Sequence, residues 1–166
     1  MSNSTDTLAD LAERVRRIED LEEIRRLRAK YFSALDDRDL RGIAEVFDLD
    51  AEIGMGDWGV FPTAQAFIER FAEESAAGHL FDLHHGANHV IDLVDENSAV
   101  GRWDAYYTEV DADAKSIFTE AYAYADEYRR IDGKWLIVKT DIRSVVTTSM
   151  VTRADGAVVF DQLRPE

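Results

Sequence analysis

Residues 116–130 read SIFTEAYAYADEYRR. Strict alternation divides this run into two unlike faces, with Phe118, Tyr122, Tyr124 and Tyr128 on one and Ile117, Thr119, Ala121, Ala123 and Ala125 on the other. A period of two in aromatic and small residues predicts a β-strand, because successive strand side chains point to opposite sides. Three neighbouring runs share the period: His84–Val94 and Ala99–Val110 before it, and Trp135–Thr148 after it. Turn residues separate them at Asp95-Glu96-Asn97, Asp111-Ala112-Asp113 and Asp132-Gly133. A last short strand, Ala157–Phe160, follows the turn Ala154-Asp155-Gly156. The second half of the chain therefore reads as an antiparallel meander.

Upstream the period changes to that of a helix. Leu8, Leu11, Val15 and Ile18 recur at three and four, and Leu21, Ile24, Leu27, Tyr31 and Leu35 continue the stripe. Thr7 with Asp10 has the form of a capping box, and Asp20 with Glu23 opens either a second helix or a later stretch of one long kinked helix. Asp36-Asp37-Arg38-Asp39 breaks the pattern, with Asp39 placed to cap a short helix ending near Phe47. A short strand at Ala51–Gly54 and a glycine-rich turn around Gly56 and Gly59 come next. Pro62 then starts a third helix with Phe67, Ile68 and Phe71 on its inner side, and Gly78 closes it. Helices first and a meander afterwards predict the α+β class: one domain over residues 1–166, with helices laid on one face of an antiparallel sheet. The core spans about 20–148, and a C-terminal strand lies within 149–166.

Which face of 116–130 meets the helices decides the partners. With the alanines inward, the aromatic face becomes an exposed apolar patch and predicts a homodimer or homotrimer through the sheet. With the faces exchanged, the tyrosines are core.

Bulk composition narrows the function classes. With 166 residues the chain fits a single domain that needs no covalent staples, and it has no cysteine, hence no disulfide, thiolate metal site or catalytic thiol. Thirty-four acidic against 19 basic residues leave a net charge of −15, which repels a phosphate backbone and argues against nucleic-acid binding. No apolar run approaches the ~20 residues that span a bilayer, and Met1–Asp10 lacks the basic and apolar regions of a secretory signal. The expectation is a soluble cytoplasmic protein without membrane contact.

Two places break the logic of their elements. Asp36 sits at a helix C-terminus, where a carboxylate is disfavoured by a few tenths to ~1 kcal/mol. It is either a solvated turn residue or a functional one. The run His84-His85-Gly86-Ala87-Asn88-His89 holds three of the four histidines. Strand geometry argues against a metal there: His84 and His85 point to opposite faces, and His85 and His89 lie about 13 Å apart at ~3.3 Å per residue. One histidine of the run is then an acid–base group facing a pocket, or a satisfied core residue. In the first case a carboxylate on Nδ1–H would fix its tautomer and leave Nε2 as base. No G-x-S-x-G, Walker or G-x-G-x-x-G motif is present, so a reaction without cofactor fits best.

The chain resembles the SnoaL-like branch of the nuclear transport factor 2-like superfamily over roughly 20–148. The resemblance rests on Tyr31-Phe32-Ser33-Ala34-Leu35-Asp36 and the short helix ending in Val46-Phe47. It rests also on the helix from Pro62 to Phe71, on His84-His85-Gly86-Ala87-Asn88 opening the sheet, and on Tyr128–Trp135 as the last hairpin. It implies a cone-shaped roll of helices against a strongly curved sheet with a deep pocket between them. Dehydratases and dehydrochlorinases of this type pair a histidine with an aspartate, and the matching positions here are His84 and Asp36. Tyr31 matches a catalytic tyrosine of one such dehydratase, whereas a second histidine used by another falls at Trp103 and is missing. By the same likeness Asp104 and Arg143 fall near further pocket positions, and in an enzyme of this kind Phe32, Trp58 and Trp103 are expected to line the pocket, the five together binding substrate. The implied activity is a cofactor-independent lyase or isomerase acting on a small apolar ring compound such as a steroid or polyketide. The alternative is a non-catalytic ligand-binding or partner-subunit module of the same fold.

Overall fold

The computed structural model describes residues 2–76 and 80–163, with side chains from 7 to 160 outside the gap. Gly78, expected to close the third helix, lies outside the described residues. The N-terminal third is one continuous helix, α1 (Ser2–Asp36), so neither the box at Thr7 nor the pair Asp20/Glu23 opens a helix. Its buried face begins at Asp20 and continues through Ile24, Arg28, Tyr31, Phe32 and Leu35, the three-and-four spacing of a stripe packed on a sheet. Each large apolar side chain buried there contributes about 1.5–3 kcal/mol.

The end of α1 is built by a Schellman turn. Asp39 N–H donates to Ala34 O at 2.8 Å and Arg38 N–H to Leu35 O at 3.1 Å, while Arg38 takes a left-handed φ of 53°. A non-glycine residue in that region costs about 1–2 kcal/mol. The Arg38 guanidinium offsets this by donating to Leu80 O at 2.8 Å and Asp82 Oδ2 at 2.9 Å, which ties the helix end to the sheet edge.

After α2 (Leu40–Ala44) come β1 (Phe47–Met55), a 3₁₀ turn at Gly56–Trp58 and β2 (Val60–Phe61). Helix α3 spans Ala64–Glu74 and starts two residues after Pro62, because Thr63 is the cap: its Oγ1 accepts from Ala66 N–H at 3.2 Å. Four long strands follow, β3 (Leu80–Leu93), β4 (Ser98–Asp111), β5 (Ser116–Ile131) and β6 (Lys134–Thr152), and β7 (Val158–Leu163) closes the described chain. Strands and turns of the meander fall where the alternation and turn residues place them, each strand running a little longer.

The sheet order is β2-β1-β6-β5-β4-β3, with β7 also paired to β6. Among the described residues every pairing is antiparallel except β1 with β6, so the sheet is mixed instead of purely antiparallel. β1 enters from the helix layer beside β6, and local pattern carries no information about that neighbour. Register shifts between Ala87 and Val90, Ala121 and Tyr122, and Glu127 and Tyr128 bend the long strands around the helices. The first includes Asn88 in a left-handed φ of 48°.

The faces of β5 are the reverse of the interface expectation. Tyr124 and Tyr128 are buried under α1, and Tyr122 and Phe118 face the same side, so the tyrosines are core and the alanines look outward. No described helix is long and apolar enough to cross a membrane.

Candidate active site

Among the described residues β3 is the last strand on its side of the sheet and pairs only with β4, so alternate backbone N–H groups point off the edge. The end of α1 arrives against that edge. Asp36 accepts from the His84 backbone N–H with Oδ1 at 3.0 Å and Oδ2 at 3.2 Å, and Oδ1 meets His84 Nδ1 at 2.6 Å. The backbone donor identifies the aspartate as an acceptor, so the ring contact is an Nδ1–H donation and Nε2 carries the lone pair.

The approach needs Gly86. A Cβ there would lie 2.4 Å from Cε2 of Phe32, one helical turn before Asp36. Without a side chain at 86, Phe32 settles on the strand backbone and stacks on the imidazole, with centroids 6.0 Å apart and rings 13° from parallel. Tyr107 flanks His84 from β4 at 4.7 Å. Burial pulls the His84 pKa below the usual 6.5, against the opposing pull of Asp36 and Asp82, so the imidazole rests neutral near pH 7.

His84 lines a cavity of about 810 Å³ between the sheet, the end of α1, α3 and the 3₁₀ turn. Its wall is apolar at Leu35, Met55, Phe71 and Ile142 and polar along β4 and β5. Among the described residues, five acidic ones line it (Asp57, Glu74, Asp82, Glu109 and Glu120) against two arginines, Arg38 and Arg143. Tyr107 Oη lies 2.8 Å from Asp82 Oδ1 and 3.1 Å from Glu109 Oε2, and one hydroxyl hydrogen serves only one of them. Tyr122 Oη donates to Glu120 Oε2 at 2.7 Å. These carboxylates fall on one wall because Asp82, Glu109 and Glu120 share the inner side of their strands, a grouping visible only once the register is known.

The other expected site residues separate into two groups. Trp58 and Arg143 lie on the cavity wall, both exposed towards its mouth. Trp103 is buried away from it, donating Nε1–H to Tyr128 Oη at 3.0 Å under the ring of His89. Asp104 is on the outer side of β4, as alternation from buried Trp103 requires, where it accepts from Asn88 Nδ2 at 3.0 Å. Tyr31 is fully buried with an unpartnered hydroxyl whose pKa burial pushes up to about 12, and it does not reach the cavity. Phe32 supports His84 from the core side and does not line the cavity. Position 84 faces the cavity, and His85 is exposed on the outer side.

Arg28 is a buried group that composition and charge do not single out, although its place in the apolar stripe between Ile24 and Tyr31 is a signal. It is fully buried, 3.6 Å from Asp126 Oδ2, with its guanidinium over the rings of Tyr124, Tyr31 and Phe32 at 4.0, 4.8 and 5.0 Å.

Residues 16–141 match the profile of the SnoaL-like domain. Among solved structures, hexachlorocyclohexane dehydrochlorinase LinA of type 2 superposes with a TM-score of 0.71 at 18% identity, covering 90% of this chain and 92% of that one. The type 3 enzyme from Novosphingobium barchaimii gives 0.70 at 19% identity over 90% and 93%. A protein from Novosphingobium aromaticivorans, provisionally assigned as a scytalone dehydratase, gives 0.73 at 20% identity over 80% and 88%. At such identities the likeness is one of fold.

Proposed function

The chain belongs to the SnoaL-like domain family, and from that premise we propose that it is a cofactor-independent lyase or isomerase that removes a proton from a small ring compound held in the cavity. The observation that carries the reading is the 2.6 Å contact between His84 Nδ1 and Asp36 at the cavity wall. His84 Nε2 takes a proton from a carbon beside a carbonyl or a leaving group. The freed electron pair forms a double bond or an enolate, and Asp36 stabilises the imidazolium that results. In an isomerisation His84 returns the proton to another carbon, and in an elimination the leaving group departs with the bonding pair.

Tyr31 and Asp104 lie too far from the cavity to meet the substrate oxygen. Tyr124 takes that role in this reading, since it lines the cavity and its ring packs edge-on against Phe32 beside His84. The excess of carboxylates on the wall favours neutral ring compounds carrying hydroxyl donors over carboxylated ones. Self-association through the outer sheet face belongs to the same reading, now on Phe81, Leu83 and Tyr106, which are exposed there, and no longer on the tyrosines of β5.

The test begins with ligand-induced stabilisation across neutral steroids, polyketides and small aromatic alcohols. Solvent deuterium exchange beside the carbonyl of each hit is then followed by NMR. Wild type should exchange the proton and His84→Ala should do so at least ~100-fold more slowly. Exchange that persists in His84→Ala would sink the proposal.

A further inference from the structure

The apolar stripe of α1 changes sides. From Asp20 onward its large residues face the sheet, whereas Leu8, Leu11, Val15 and Ile18 are 67%, 51%, 45% and 64% exposed. Each helical residue turns the direction by about 100°. On that count the four directions cluster within about one quadrant, roughly opposite the mean direction of the buried residues Ile24, Arg28, Tyr31 and Leu35. Arg16, on the body side, confirms the orientation by pairing with Asp20 at 2.9 Å. The first half of the helix therefore presents a second apolar seam that the domain itself leaves bare.

The seam has the spacing of a coiled coil. Leu8 and Val15 take a positions and Leu11 and Ile18 take d positions, three, four and three residues apart. With that register Arg14 is a g residue and Glu19 the following e residue, the two positions that bridge parallel helices. Neither makes an ion pair with any described residue of its own chain. The charges that flank the seam are complementary only in one arrangement. In a parallel, in-register pair Arg14 meets Glu19 of the second copy, twice by symmetry. In an antiparallel pair, with Leu8 against Ile18 and Leu11 against Val15, the g positions face one another and Arg14 meets Arg14 of the second copy, a like-charge contact. The seam faces away from the body, so two copies can pair with their sheets on opposite sides of the helix pair. The segment is short for a coiled coil, but its helix is already nucleated and anchored by the core beyond Asp20, so pairing adds contacts without that initial cost.

We propose that residues 8–18 of α1 are a dimerisation helix that pairs in parallel with the same segment of a second copy of this chain, through Leu8, Leu11, Val15 and Ile18 and the Arg14–Glu19 bridges. This surface is separate from the outer sheet face and from the cavity.

The full chain has no cysteine, so a single one reports pairing cleanly. Under mild oxidation Leu11→Cys should form a disulfide-linked dimer at least ~10-fold faster than Glu13→Cys, an exposed control on the opposite side of the helix. By light scattering Val15→Glu should halve the wild-type mass. Arg14→Glu should weaken the assembly, and Arg14→Glu with Glu19→Arg should restore it. Cross-linking of Leu11→Cys no faster than the control, or an unchanged mass for Val15→Glu, overturns the proposal. So does failure of the double charge exchange to recover the mass, since the seam would then be covered by another surface or partner. Val15 lies outside the core, so retained helicity and denaturation midpoint will separate lost assembly from lost fold.

Discussion

One inner sheet face carries two polar networks that are finished in different ways. At the end covered by α1, Asp126 accepts from Tyr128 Oη at 2.5 Å and from Thr140 Oγ1 at 2.6 Å, and Tyr128 in turn accepts from Trp103 Nε1. Each of those oxygens has a protein donor. At the other end, from the rung of His84 and Tyr107 onward, three carboxylates line a cavity and the donors nearest them do not cover every oxygen. The difference follows from length. Helix α1 stops at Asp36, level with His84, and the strands run on beyond its reach. The carboxylate under the helix, Asp126, is satisfied by the fold, while those past its end are left to solvent or a ligand.

The largest expected effect breaks the open end alone. Asp36→Asn keeps an acceptor for the His84 backbone N–H but no longer stabilises an imidazolium. Proton exchange on a bound ring compound should fall by about 10²–10⁴, with folding stability within about 1 kcal/mol of wild type. A comparable loss of both would mean that the dyad is part of the structural network and the two ends do not differ in kind.

Arg28→Met addresses the closed end. It leaves the Asp126 carboxylate buried without its cation, which typically costs about 3–5 kcal/mol, and urea denaturation reads it directly. Asp126→Asn in the same chain should recover part of the loss. If Arg28→Met is neutral, the tyrosine and threonine donors satisfy Asp126 by themselves.

Gly86→Ala joins the two ends. The added methyl must push Phe32 away from β3, an overpacking cost of about 1–3 kcal/mol. Because Phe32 precedes Asp36 by one turn, the same shift should loosen the contact to His84 and lower activity. Thermal unfolding together with exchange rates separates the two effects: a stability loss with full activity would show that Asp36 holds its place independently of Phe32.

How much of this could be read beforehand depends on range. The strands β3 to β6 were legible because alternation and turn residues are local. That α1 is one helix is not legible locally, since a cap-like Asp20 followed by Glu23 looks the same within a helix as at its start. Alternation defined the two faces of β5 but not which lay inside. The inner face is the one packed on α1, where the Arg28 guanidinium sits over Tyr124, and an arginine in a core stripe runs against expectation. The parallel pairing of β1 with β6 and the acidic cavity wall depend on register between distant segments. Asp36 and His84 drew notice as local anomalies, and their 2.6 Å approach belongs to the tertiary structure. The reversal of the helical stripe after Ile18 was legible in principle, because turning by about 100° per residue already carries it to the other side.

The smallest effect concerns protons. Burial lowers the His84 pKa below 6.5, and Asp36 opposes that shift. The unfolded chain thus takes up this proton first as pH falls. Between 6.5 and the folded value the unfolded state binds more protons, so His84 makes stability decline with falling pH there and contributes no slope above 6.5. Activity that needs the neutral imidazole should fall on the acidic side of 6.5, across the lowered pKa. In Asp36→Asn the support for the cation is gone, and the NMR titration of the His84 ring should move to still lower pH. A move upward would mean that Asp36 acts on His84 chiefly by position, and the open end would then owe its chemistry to burial alone.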